Sequence, residues 1–160
     1  IKAMENNNDQ HHNPLIDCFS KSKYHSYQHN LEKWQNNGEL LGIGQGAYGY
    51  INHKQYINFE NPGLYRESVL NSILPTWKSF ELDTHEQIHR EIIFGLKTFI
   101  EKDLLSKARH VCGNLAQKVD LLQEIGAIVE KNNQLSLSDI GELMADWIMT
   151  FLYSNDIRGD

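Results

Sequence analysis

Apolar residues recur along this chain at two spacings, one typical of helices and one typical of strands. The clearest helical stretch follows Asp83, where Ile88, Ile92, Gly95, Leu96 and Phe99 fall at i, i+4, i+7, i+8 and i+11 on one face. Asp83 with Glu86, or Thr84 with Gln87, has the spacing of a capping box at its start. His85, Glu86, His89 and Arg90 are expected on the opposite, solvated side. A second helix is expected from about Asp103, carrying Leu104, Leu105, Ala108 and Val111, with Gly113-Asn114 as its stop and restart. Leu115, Val119, Leu122 and Ile125 continue in a third. Upstream, Asn61-Pro62-Gly63 marks a turn, residues 64–74 have helical spacing, and Pro75 ends them.

Strand signals are shorter. Leu40-Leu41, just before a run of glycines, reads as a buried strand leading into a loop, after which Tyr48, Tyr50 and Ile51 resume extended structure. Residues 127–130 are β-prone, 131–134 form a turn, and 135–137 alternate as a second strand. Ser138 or Asp139 then caps a last helix bearing Ile140, Leu143, Met144, Trp147, Ile148 and Phe151 as core positions. Helix, helix, hairpin, helix is a winged-helix-like order, so the fold class is α+β and mostly helical. Residues 1–14 are rich in Asn and His, with almost nothing to bury, and are expected to be disordered.

With 160 residues, 40% of them hydrophobic and 22% charged, the chain has the material for one globular domain with a real core. No apolar run reaches the roughly 18 residues that a membrane span needs. The polar start lacks the apolar core of a signal peptide, and opening on Ile1 rather than Met suggests a fragment. Cys18 and Cys112 match no disulfide or zinc spacing, which makes a reduced, cytoplasmic setting the expectation. The net charge of −6 argues against non-specific nucleic-acid binding and against an anionic membrane surface.

The candidate chemistry is sparse. Gly42-x-Gly44-x-Gly46 places its third glycine one residue too early for a dinucleotide fingerprint, and no Gly-Lys-Ser/Thr follows. A tight turn needing glycine is the plainer reading. The functional one is that glycines at a strand end let a ligand approach the backbone. His11-His12 reads as a solvated tail rather than a metal site, and His25 with His29 lacks any H-E-x-x-H context. No nucleophile elbow is present. Glu86 with Arg90, and Glu91 beside His89, read as solvated helix partners. Trp147, Phe151 and Tyr153 read as core. The helix 114–124 and the hairpin balance Lys118 and Lys131 against Asp120, Glu124 and Glu130, a poor charge pattern for a DNA reader.

Several segments, in order, resemble the C-terminal part of the oxygen-independent coproporphyrinogen III oxidase-like radical-SAM family, which includes related heme chaperones. His29-Asn30-Leu31-Glu32-Lys33-Trp34 is similar to its H-N-x-x-Y-W element, with Lys33 replacing an aromatic. Leu41-Gly42-Ile43-Gly44-Gln45-Gly46-Ala47-Tyr48 is similar to its L-G-I/L-G-x-G-A-H/Y segment. Gln55-Tyr56, Asn58 and Tyr65 follow its R-Y-x-N…Y pattern, with Gln55 in place of Arg. Residues 90–97 resemble its E-x-L/M-x-x-G-L-R helix, with Lys97 for Arg. Leu135-Ser136-Leu137-Ser138-Asp139-Ile140-Gly141 sits where L-T-x-x-G is expected.

The resemblance implies a flexible segment over 1–24, the end of a partial (β/α) barrel over 25–60, and a helical, winged-helix-like domain with one hairpin over 61–160. It implies that Gly44, Gly46 and Ala47 lie near S-adenosylmethionine, and that the complete protein carries a 4Fe–4S cluster. The partners it implies are an N-terminal radical-SAM barrel and a tetrapyrrole substrate or heme. The cluster needs C-x-x-x-C-x-x-C, and two unrelated cysteines cannot supply it. The chain is therefore expected to be an accessory, substrate-covering domain in anaerobic porphyrin or heme metabolism, inactive by itself as an oxidoreductase. Two alternatives are a stand-alone winged-helix module binding protein or nucleic acid, and a heme-binding module using a histidine or Tyr48 as axial ligand.

Overall fold

Short polar turns and capping residues cut this chain into many small elements. The computed structural model describes residues 12–15, 18–20, 28–35 and 37–153. They form an α+β fold, about half helical, with sheets of at most three strands. Two units are distinguishable: Gly38–Gln87 is one, and Ile1–Asn37 together with Ile88–Asp160 is the other.

The Gly38–Gln87 unit is built on an antiparallel sheet, β3(Tyr48–Ile51), β4(Lys54–Asn58) and β5(Thr76–Glu81), in that order. Asn52 and His53 join β3 to β4 with φ of 49° and 61°, a two-residue turn of positive-φ residues whose twist matches the right-handed twist of the strands. Helix α2(Pro62–Leu70) starts where Asn61 accepts hydrogen bonds from Gly63 N and Leu64 N, with Pro62 in the first turn. It ends at Leu70, four residues short of the expected end at Leu74, because Ser72 turns to φ 56°. β5 was not expected from the sequence. The anticipated strand at Leu40-Leu41 is absent: Leu40 makes one isolated bridge to Tyr50, while Leu41 and Ile43 are 64% and 79% exposed. Side chains, not a strand partner, take up the backbone of Gly42 and prevent a ladder there.

In the other unit, β1(His12–Leu15) pairs with β2(Cys18–Ser20), so residues 12–14 are extended where disorder was expected. The expectation for residues 1–11 lies outside the described residues. Helix α1(Gln28–Gln35) follows. Helix α3(Thr84–Gly95) begins at the end of the Gly38–Gln87 unit, and Asp83 Oδ1 caps it by accepting from Glu86 N at 2.8 Å. Then come β6(Ile100–Glu101), α4(Lys102–Val111) and α5(Gly113–Glu124), with Cys112 breaking the last two apart. β7(Ile128–Lys131) and β8(Gln134–Leu137) form the expected hairpin through Asn132-Asn133, at φ 54° and 64°. β6 adds to the outer edge of β8, giving the order β6-β8-β7.

Ser138 caps the next helix by accepting from Gly141 N, but one helix became two, α6(Asp139–Leu143) and α7(Ala145–Leu152). The core holds Ile88, Ile92, Leu96, Leu115, Val119, Leu122, Leu135, Ile148 and Leu152, each nearly inaccessible. Burying one such side chain stabilises the fold by about 1.5–3 kcal/mol. Ile125, Ile140, Leu143 and Met144 fall outside this core and are exposed. Trp147 is 53% exposed and stacks on Phe151 at 5.3 Å instead of filling the interior. Among the described residues no helix is long and apolar enough to cross a membrane.

Candidate functional site

Tertiary hydrogen bonds hold the glycine segment of the Gly38–Gln87 unit in shape. Asn58, 3% exposed at the end of β4, donates its side-chain amide to Gly42 O at 3.2 Å and to Gly44 O at 2.9 Å. Tyr56 Oη accepts from Gly42 N at 2.9 Å, and Tyr65 Oη on α2 accepts from Gly44 N at 3.1 Å. Gly46 N donates to Phe59 O, and Ala47 O accepts from Asn58 N. The turn is closed on its own strand and helix at nearly every residue.

The glycines serve different needs. A Cβ on Gly42 would lie 2.2 Å from Tyr48 O, and one on Gly49 would lie 2.0 Å from the Tyr56 ring. These two allow backbone and ring to pack closely. Gly44, at φ 110°, and Gly46, at φ 65°, adopt backbone that L-residues avoid. A Cβ on Gly44 would meet nothing within 4 Å, so this backbone faces open space. Ala47 is half-buried, and Tyr48 beside it is exposed. The structure thus brings Gly44, Gly46 and Ala47 into one turn. Their supports, Tyr56, Asn58 and Tyr65, could be found in the sequence only through the family pattern.

In the other unit, α3 is less amphipathic in effect than its pattern suggests. His89 and Arg90, expected on the solvated side, are 5% and 7% exposed. His89 Nδ1 donates to Leu152 O at 3.0 Å, and Arg90 Nη1 donates to the Asn37 side-chain oxygen. Asn37 in turn donates to Glu91 Oε1 at 3.2 Å, so Glu91 has a side-chain amide as partner. A cavity of about 460 Å³ opens here, bordered by Trp34, Asn37, Glu91, Phe99, Glu101 and Leu104. Glu86 lies 3.9 Å from the His85 ring. The His11-His12 and His25-His29 metal readings fall outside the described residues and side chains.

Comparison with known proteins gives a consistent picture. No family model matches the chain. It is 29% identical over 143 residues to the heme chaperone HemW of Bacillus subtilis, covering 84% of this chain and 36% of that protein. It is 26% identical over 125 residues to the heme chaperone HemW of Mycobacterium tuberculosis, covering 78% of this chain and 31% of that protein. The chain thus spans about a third of the length of these curated relatives. Its fold matches coproporphyrinogen III oxidase (HemN) from Escherichia coli, a radical-SAM enzyme, with a TM-score of 0.56 at 18% identity, over 74% of this chain and 29% of that one. Together these likenesses support the resemblance to the oxygen-independent coproporphyrinogen III oxidase-like radical-SAM family, and the partial coverage fits the C-terminal region of that family.

Proposed function

We propose that this chain is the C-terminal accessory, substrate-covering part of a radical-SAM protein that handles heme or a porphyrin. The observation that carries the reading is the turn at Gly44: its backbone faces open space while Asn58, Tyr56 and Tyr65 hold it in place. A turn pinned from one side and open on the other suits close approach of a cofactor. S-adenosylmethionine fits the segment Gly44, Gly46 and Ala47 in that sense. When bound to a complete family member it would supply the radical chemistry; this chain's residues would position it and keep its surroundings closed to water.

The 4Fe–4S cluster does not fit this chain. Cys18 and Cys112 are the only two cysteines of the sequence, and Cys112 is buried between α4 and α5. The cluster belongs in this reading to an N-terminal barrel, of which residues 25–60 would be the last piece. Residues 61–160 would be the helical domain, with α4, α5, β7, β8 and α6 as its winged-helix-like unit. Arg109 is paired to Asp120 and Lys102 to Glu130, so two cations of that unit are already neutralised, which counts against nucleic acid as its partner.

The test is anaerobic iron–sulfur reconstitution of this chain and of the full-length protein, followed by equilibrium binding of S-adenosylmethionine to each. Iron and cofactor should bind the full-length protein only, and Gly44→Val should weaken cofactor binding there. Stoichiometric iron in this chain, or full-length binding indifferent to Gly44→Val, would overturn the reading.

A further inference from the structure

Three cations gather around two aromatic rings in the unit containing α1 and most of α3. Lys33 Nζ lies 5.0 Å from the centroid of the Trp34 ring, and Lys97 Nζ lies 5.1 Å from the same ring. Lys97 is also 5.8 Å from the Phe94 ring, over which the Arg90 guanidinium carbon sits at 4.9 Å. Arg90 and Phe94 are one turn apart on α3, Lys97 follows in the turn beyond it, and α1 contributes the neighbours Lys33 and Trp34. Among the described residues neither lysine forms an ion pair. A ring face attracts a cation but cannot neutralise it, so the repulsion between the two ammonium groups stays largely uncompensated. Burial, then Lys97 and Arg90, push the Lys33 ammonium below its usual pKa, and both of those charges are positive.

Trp34 also borders the 460 Å³ cavity, whose apolar wall is Phe99, Ile100 and Leu104. Its buried Nε1 has no hydrogen-bond partner among the described residues, leaving a donor for a ligand. The cavity's charged groups, Glu91 and Glu101, repel an anion, whereas the lysines beside Trp34 attract one. The geometry points to a carboxylate-recognition site in which Lys33 and Lys97, backed by Arg90, hold the anionic side chains of a ligand whose apolar body lies toward Trp34 and the cavity. The assignment rests on the tetrapyrrole reading above and names the end of the ligand that this chain recognises. Ammonium–carboxylate contacts of this kind are charge-assisted and stronger than neutral ones.

The probes are iron protoporphyrin IX and its dimethyl ester, in which both carboxylates are masked, titrated by Soret absorbance into the full-length protein. The wild type should bind the free acid about tenfold more tightly than the diester. Lys33→Met with Lys97→Met should abolish that preference while leaving diester affinity unchanged, and the exposed control Lys107→Met should retain it. Circular dichroism of each variant establishes folding. Equal binding of acid and diester by the wild type, or a preference that survives in the double variant, overturns this site and leaves the tetrapyrrole reading standing. Binding of neither probe removes the tetrapyrrole reading and the site with it.

Discussion

The side chain of Asn58 reaches across the glycine turn to the carbonyl oxygen of Gly44, 2.9 Å away and fourteen residues upstream. Its amide also bonds Gly42 O, so one buried group holds two carbonyls of a turn that has no strand partner of its own. Replacing it with Leu leaves Gly44 O only the 3.3 Å bond from Ala47 N and Gly42 O only the 3.5 Å bond from the Tyr56 hydroxyl, at a cost of about 1–3 kcal/mol for the weakened buried polar groups. Asn58→Leu is therefore expected to lower the thermal midpoint and, if the proposed reading holds, the affinity of the complete protein for S-adenosylmethionine. Calorimetry and equilibrium binding would measure the two effects, and an unchanged midpoint would contradict the assigned role.

The glycines of the turn should separate by mechanism. Gly42→Ala places a Cβ 2.2 Å from the fixed backbone oxygen of Tyr48, and Gly49→Ala drives one into the Tyr56 ring. Both should cost more than Gly44→Ala, where the space is open and only the φ of 110° is unfavourable, at about 1–2 kcal/mol. Chemical denaturation of the three variants orders them. Gly44→Ala proving the most damaging would mean that the turn is packed differently.

Lys33 gives a pH signature. Burial, Lys97 and Arg90 lower its folded-state pKa, so the folded protein binds this proton less well than the unfolded chain does. The resulting penalty is present at neutral pH and is relieved as pH rises through the folded pKa toward the ordinary lysine value of 10.5. Lys33→Met should accordingly be more stable than wild type at pH 7, with the difference shrinking as pH rises through the alkaline range. A midpoint difference that does not change with pH would rule out this origin.

Core and surface leucines should differ sharply in the hairpin and final helices. Leu135 of β8 is inaccessible, whereas Leu143 at the end of α6 is among the most exposed residues. Leu135→Ala should cost about 2–5 kcal/mol through lost burial and a residual cavity. Leu143→Ser should change stability by less than about 0.5 kcal/mol. Urea denaturation of each variant decides it.

Glu142 carries the opposite kind of titration. Burial first and Asp139 second raise its pKa, so its ionised form is disfavoured in the folded state. Stability from this group is present at low pH and lost as pH rises through the raised value. Glu142→Gln should therefore stabilise the protein at pH 7 and have no effect well below the ordinary carboxylate range, as thermal melts across pH would reveal.

Features set by a period or a cap acting over a few residues are legible in the sequence. The face of Ile88, Ile92 and Leu96, the break at Gly113, the hairpin around Asn132-Asn133 and the cap at Ser138 all depend on neighbours in sequence. Where the structure departs from the local pattern, a distant group intervenes. Leu40-Leu41 had the composition of a buried strand, but Tyr56 and Asn58 took the adjoining glycine backbone. Trp147 fell on the same helical face as Ile148 in the pattern, yet α6 and α7 break apart at Met144 and the indole lies outside the core. β5 and β6 were invisible because each is defined by the strand beside it.

By itself the sequence determined the order of helices and hairpin, the lack of a C-x-x-x-C-x-x-C arrangement and the motifs that carry the family resemblance, since these depend on composition and short-range spacing. Tertiary structure alone decided that Asn58, Tyr56 and Tyr65 converge on one turn, that His89 and Arg90 are buried, and that Lys33 and Lys97 meet over Trp34. Those positions depend on which faces come together, through contacts between residues 14 to 63 positions apart that no local period encodes.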